Sequence, residues 1–167
     1  MIHKYRYQAS TDLIYGHRPP ICLRYIMWCH SATITDKYMD YHDIFYRRAR
    51  KYIEVDEMTG PGETIVSLAH AQCWSLIAIY EFKMMYFPRA WISVGRAARL
   101  VLMMGLNRVD GVGPDVKQCL PPPKDCTERE ERRRTFWMAY CVDRYASMAT
   151  GWPMSIDEKD VITPLRG

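Results

Sequence analysis

Residues 127–148 read TEREERRRTFWMAYCVDRYASM, and this stretch decides the fold class. Phe136, Trp137, Tyr140, Cys141, Arg144 and Met148 recur at helical intervals, so one face of a helix is apolar and aromatic. Thr127 followed three residues later by Glu130 has the form of a capping box, which places the helix start there. The charged head, Glu128 to Arg134, sets three acids against four arginines and is largely self-neutralised. Glu128 reaches Arg132 and Glu130 reaches Arg134 at i,i+4, each pair contributing about 0.2–0.5 kcal/mol. Asp143 and Arg144 interrupt the aromatic stripe, where a charge is costly unless paired. Arg96 or Arg99 on the preceding helix is the expected partner of Asp143.

Working back along the chain, residues 107–125 hold Gly111, Gly113, Pro114 and Pro121-Pro122-Pro123, which resist regular structure and read as a long surface loop. Before it, Pro88 suits the first turn of a fourth helix, and Gly105-Leu106 suits a left-handed stop with a hydrophobic contact. A third helix over about 63–84 is apolar on nearly every face, through Val66, Leu68, Trp74, Leu76, Ile77, Ile79 and Phe82, so it should sit centrally. Residues 64–80 contain no Asp, Glu, Lys or Arg, yet Thr64, Ser67, His70, Gln72 and Ser75 mark a buried helix rather than a membrane span.

Gly60-Pro61-Gly62 separates that helix from a second one beginning at Asp36, whose Tyr38, Tyr41, Phe45, Tyr52 and Val55 share one face. Its other face carries Arg47, Arg48, Arg50 and Lys51. With Asp43 and Glu54 four residues from Arg47 and Arg50, it reads as an ordinary solvated surface. A short first helix fills about 21–33 after Arg18-Pro19-Pro20, and residues 1–17 read as a loosely ordered leader. No segment alternates apolar and polar residues over a useful length. The expected fold is all-α: about five antiparallel helices over residues 18–165, with the long Gly/Pro-rich loop before the last.

Bulk properties agree with one globular domain: 49% hydrophobic and 25% charged residues exclude a disordered or collagen-like chain. A formal charge of +4 is too weak to argue for nucleic-acid binding. Phosphate-cradling, nucleophile-elbow and zinc-protease motifs are missing, so an enzyme is not expected. The six cysteines are too sparse for a disulfide scaffold and read as reduced, intracellular thiols. Cys22 with Cys29 and Cys119 with Cys126 share a spacing found in binuclear zinc clusters, but the accompanying Cys-x-x-Cys steps are absent, so no metal is expected there. His70 and Cys73, three apart, supply only half a tetrahedral shell, and a buried, hydrogen-bonded histidine is the expectation.

The string from Glu128 to Trp137, followed by Asp143-Arg144 and Gly151-Trp152-Pro153, resembles the fungal-specific transcription factor domain. Upstream, Gly95 to Leu100 and Gly105-Leu106-Asn107-Arg108 resemble the family's segment in which a helix ends in Gly-Leu before a basic residue. Downstream, Ile156, Asp157 and Asp160 fit its acidic trailing motif. Trp152 stands where the family often has arginine, and Leu165-Arg166-Gly167 replaces the usual Leu-Pro continuation.

The resemblance implies a regulatory middle region of a nuclear, zinc-cluster transcription factor, with further helices on the C-terminal side. It also implies that zinc and DNA contact belong to an N-terminal cluster outside this chain, which would carry no cofactor of its own. Expected partners are other parts of the parent factor, a small-molecule effector bound between the third, fourth and fifth helices, or a regulator or second copy; no membrane is implicated. An interaction scaffold or dimerisation module without small-molecule sensing is the rival expectation. The signature positions carried over are Arg96, Arg99, Gly105, Leu106, Glu130, Arg132, Arg133, Arg134, Trp137, Asp143, Arg144, Gly151, Pro153 and Asp160.

Overall fold

Pro19 and Pro20 precede the first long apolar segment, and a helix starts at Ile21, capped by Pro20, whose missing backbone N–H has no ladder partner to lose. The structure, a computed structural model, describes residues 1–13, 18–109 and 119–163. Six α-helices make it up: α1 (Lys4–Thr11), α2 (Ile21–Ala32), α3 (His42–Met58), α4 (Leu68–Lys83), α5 (Phe87–Met103) and α6 (Cys126–Thr150). Single 3-10 turns occupy Asp36–Tyr41, Glu63–Ile65, Leu106–Arg108 and Glu158–Asp160, and no strand occurs among the described residues. The all-α expectation holds. No helix among the described residues is long and apolar enough to cross a membrane.

α4 is the central element, packing on α2, α3, α5 and α6. Its uncharged run allows this: Ala71, Cys73, Trp74, Ile77, Ala78 and Tyr80 are all buried, on more than one face. Around it, Leu23 and Ile26 from α2, Tyr46 and Ile53 from α3, Ala98 and Val101 from α5, and Phe136 from α6 complete one core. A satellite cluster of Phe82, Ala90, Val94, Val142 and Ala146 joins the other ends of α4, α5 and α6.

The second helix, expected from Asp36, is 3-10 over Asp36–Tyr41 and α-helical only from His42, and it buries Tyr46, Ala49 and Ile53 while Tyr38, Tyr41 and Val55 are exposed. Three further boundaries differ from the sequence reading. Residues 4–11 of the expected leader form α1, held at its start by the His3 ring, which accepts from the Arg6 N–H; Ile2 and Tyr7 pack on the core. Residues 14–17 of that leader and 110–118 of the expected loop lie outside the described residues. Glu63–Ile65 is only a 3-10 turn, and α4 begins after Ser67, whose hydroxyl accepts from the His70 N–H at 3.3 Å. Serine satisfies a free helix N–H that glycine cannot, which moves the start inward.

The last difference concerns α6. Its cap is Asp125, not Thr127: the Asp125 carboxylate accepts from the Glu128 N–H at 2.6 Å, and Glu128 in turn accepts from the Lys124 N–H at 3.0 Å. Glu130 is occupied elsewhere, by Arg134 at 2.8 Å and by Arg133. Asp125→Ala is therefore expected to cost about 1 kcal/mol and Thr127→Ala far less, a difference readable in urea midpoints.

Candidate functional site: the signature helix and the α3–α5 groove

The signature residues gather mainly where α6 meets its flanking segments. Gly151 ends the helix at φ +75°, a left-handed conformation that favours glycine, with its N–H bonded to the Ser147 carbonyl at 2.8 Å. The chain then folds back, and Asp143, 2% exposed, accepts from the backbone N–H groups of Ser155 and Ile156 at 3.0 Å. Arg144 donates to the Ile156 carbonyl at 2.9 Å and lies over the Tyr140 ring. Ile156 thereby enters the core.

Further along, the Asn107 carbonyl accepts from Ile162 and Thr163, and its amide donates to the Asp160 carbonyl. Gly105 is left-handed at φ +69° and Leu106 is buried, as the Gly-Leu stop predicted. At the start of α6, Arg132, 6% exposed, ties the Pro121 carbonyl at 2.8 Å to Glu128 at 2.7 Å.

The expected partnership of Asp143 with Arg96 or Arg99 does not form. Two backbone amides and Arg144, 3.7 Å away, already satisfy Asp143. Arg96 instead pairs with Glu57 at 2.8 Å and stacks on Trp74 at 4.5 Å, while Arg99 is exposed. Arg134 and Pro153 are exposed too, and Trp137 is only half-buried, with an indole N–H that finds no acceptor among the described residues. Most of the signature thus stitches chain segments together, and these residues do not converge on a single cavity.

A cavity of about 740 Å³ opens instead between α3 and α5, within the size range of small-molecule sites. It is not between the third, fourth and fifth expected helices; a smaller cavity of about 420 Å³ does lie between the third and fifth, lined by Ile79, Phe82, Cys141, Val142 and Tyr145. Arg47, Arg50, Lys51 and Arg89 line it, with Tyr46 below and Glu54 as the single acidic residue. Arg50 belongs to both the groove and the interior. Its guanidinium holds Glu54 at 2.8 Å, Glu81 at 3.1 Å and the Ser93 hydroxyl at 3.2 Å, and it lies 5.1 Å from the Trp74 ring centre.

Glu81 is fully buried, and accepts also from the Tyr46 hydroxyl at 2.7 Å and the Ser93 hydroxyl at 2.6 Å. Burial and the neighbouring Glu81 carboxylate push the Tyr46 hydroxyl up to about 12, so it stays a donor. The solvated face read for Arg47 and Arg50 is therefore half right. Exposed Arg47 pairs with partly exposed Asp43 at 2.8 Å, but Arg50 serves the core. Sequence reasoning missed Glu81 because its partner lies 31 residues away; the available signal was the lone carboxylate of α4, directly after a run, residues 64–80, without Asp, Glu, Lys or Arg.

A third group forms where α2, α3 and α4 meet. The His70 Nε2 lies 3.0 Å from Asp56, its Nδ1 lies 2.7 Å from the Ser67 hydroxyl, and the Cys22 thiol lies 3.7 Å from Asp56. His70 is buried and hydrogen-bonded, as expected. A contact with the Cys73 thiol brings the Cys22 thiol down to about 6.

The signature residues thus brace an all-helical domain beside a charged groove. Residues 2–165 match the fungal specific transcription factor domain, and the chain belongs to that family, which makes it a non-enzymatic domain of transcription regulation. It is 37% identical over 167 residues to a pigment biosynthesis transcriptional activator of Monascus ruber, covering 99% of this chain and 30% of that protein. It is 35% identical over 166 residues to a citrinin biosynthesis transcriptional activator of Monascus ruber, covering 99% and 32%. A regulator of the ascochitine biosynthesis cluster in Didymella fabae is 28% identical over 165 residues, covering 99% and 28%. The chain thus spans about a third of the length of these relatives. No solved structure matches it.

Proposed function

We propose that this domain sets the activity of a nuclear, pathway-specific transcriptional activator, and that an anionic small molecule in the α3–α5 groove biases it between masked and active arrangements. The observation that carries this is the double engagement of Arg50, which faces the groove while holding buried Glu81. Lys51 and Arg89 have no carboxylate partner among the described residues, so the groove has cationic charge to spare. An anion binding there competes with Glu54 and Glu81 for Arg50, and so changes how α3 is held on α4 and α5. A ligand can shift such an equilibrium only by binding one arrangement more tightly, and contact through Arg50 provides that difference. DNA contact and its zinc belong, on this reading, to a part of the factor outside this chain.

A thermal-shift series with small mono- and dicarboxylates and organic phosphates tests it. At least one is expected to raise the melting temperature, because a ligand of the native state stabilises it. The rise should vanish in Lys51→Ala/Arg89→Ala, whose own melting should stay close to that of the unsubstituted protein. Flat curves across the series would remove the effector reading.

A second reading, a contact face for other parts of the factor or for a second copy, is favoured by a separate patch. Trp28, Ile34, Tyr38, Met39, Tyr41 and Ile44 are all exposed around the α2–α3 connection. Light scattering across a concentration range separates self-association from a monomeric sensor.

A further inference from the structure

Three helices that are unrelated in sequence deliver donor atoms to one point. Cys22 comes from the first turn of α2, Asp56 from the last turn of α3 and His70 from the first turn of α4. The Cys22 sulfur, an Asp56 oxygen and a His70 ring nitrogen all lie within 4.8 Å of one another. Among the described residues this is the one group of three or more such donors that converges.

We propose that Cys22, Asp56 and His70 form a three-donor binding site for a single divalent cation of the zinc class, with the fourth position left to solvent. The site is independent of the effector groove. A sulfur, an imidazole and a carboxylate make a mixed soft and borderline donor set, the kind that selects zinc over magnesium or calcium.

The distances fit. Zinc bonds of about 2.0–2.3 Å in a tetrahedron put neighbouring donors about 3.3–3.8 Å apart. Cys22 and Asp56 already stand at 3.7 Å. His70 and Asp56, at 3.0 Å, need to separate by only a few tenths of an ångström. Both movements are within side-chain reach.

The surroundings fit as well. Metal-binding histidines commonly donate their second ring N–H to an oxygen, which sets the tautomer and leaves the other nitrogen free for the ion. The Ser67 hydroxyl, 2.7 Å from Nδ1, is placed for that role, with Nε2 turned toward Asp56. A path in exists: Asp56 and His70 line a cavity of about 290 Å³ whose rim includes Arg18 and Arg24. One thiolate and one carboxylate balance the charge of a divalent ion. The sequence hid the site because its donors are separated by up to 48 residues and fit no metal-ligand spacing.

The test is titration of the metal-stripped 167-residue chain with cobalt(II) alone, followed by absorption spectroscopy. One equivalent is expected to produce a thiolate-to-cobalt charge-transfer band and the intense visible bands of tetrahedral cobalt, both bleached by added zinc. Cys22→Ser should weaken the charge-transfer band strongly, while Cys141→Ser, at an exposed position on α6, should leave it intact. Should Cys22→Ser fail to fold, Asp56→Asn decides, because Asp56 is partly exposed and its carboxamide preserves the shape. Its cobalt affinity should fall at least about tenfold at unchanged circular dichroism. Absence of the charge-transfer band in the unsubstituted chain, or unchanged affinity in Asp56→Asn, would overturn the proposal.

Discussion

Arg50→Ala is expected to lower the free energy of unfolding by about 3–5 kcal/mol, a large fraction of the stability of a domain this size. The loss comes from Glu81 rather than from Arg50 itself. Glu81 is fully buried, and Arg50 supplies its only full positive charge among the described residues. The Tyr46 and Ser93 hydroxyls would remain, but two neutral donors do not offset a desolvated carboxylate. Loss of the Arg50 stack on Trp74 adds a smaller amount, since Arg96 still covers that ring at 4.5 Å. Pairing Arg50→Met with Glu81→Leu should recover most of the loss, because removing both charges eliminates the unpaired one. Urea midpoints of the two singles and the double read this directly. Additive losses would show that the pair is uncoupled and would also weaken the effector mechanism.

Asp143→Ala is expected to cost a comparable 3–5 kcal/mol, roughly, through a different route. The carboxylate is the acceptor for two backbone N–H groups, those of Ser155 and Ile156, and both would lose a charged partner on truncation. Arg144, 3.7 Å away, would lose its nearest counter-charge. The segment after Gly151 would then be held mainly by Arg144 at the Ile156 carbonyl and by the Asn107 bonds further on. Asp143→Asn should cost less, because one amide oxygen still accepts. Faster hydrogen exchange at Ser155 and Ile156, with α4 amides unchanged, would locate the effect in this segment. Unchanged exchange there would show that Asp143 does not anchor it.

Both residues show how differently parts of this protein are written in its chain. Asp143-Arg144 was conspicuous as a charged pair inside an aromatic stripe, and the need for partners was correctly read. The partner was not, because backbone amides of a returning segment leave no trace in residue identity. Arg50 looked like one more cation on a solvated face, since Glu54 four residues on satisfies the local pattern. α1 has no apolar period to announce it, because none of its eight residues is buried.

Local covalent chemistry settles the helical elements. Pro20, Pro88, Gly105 and Gly151 act through backbone torsions and missing N–H groups, effects confined to a turn or two, and an uncharged stretch such as residues 64–80 must be enclosed wherever it lies. The all-helical class, the central helix and the signature of α6 follow from such terms. Only tertiary packing decides the rest: which cation faces Glu81, what neutralises Asp143, and that Cys22, Asp56 and His70 meet. Those pairings depend on the crossing of helices far apart in the chain, where a shift of a few ångströms exchanges a hydrogen bond for a buried, unpaired charge. The helix carrying Thr127 to Met148 was legible as a helix from its own spacing; its role as the strut that anchors both flanking segments belongs to the folded protein.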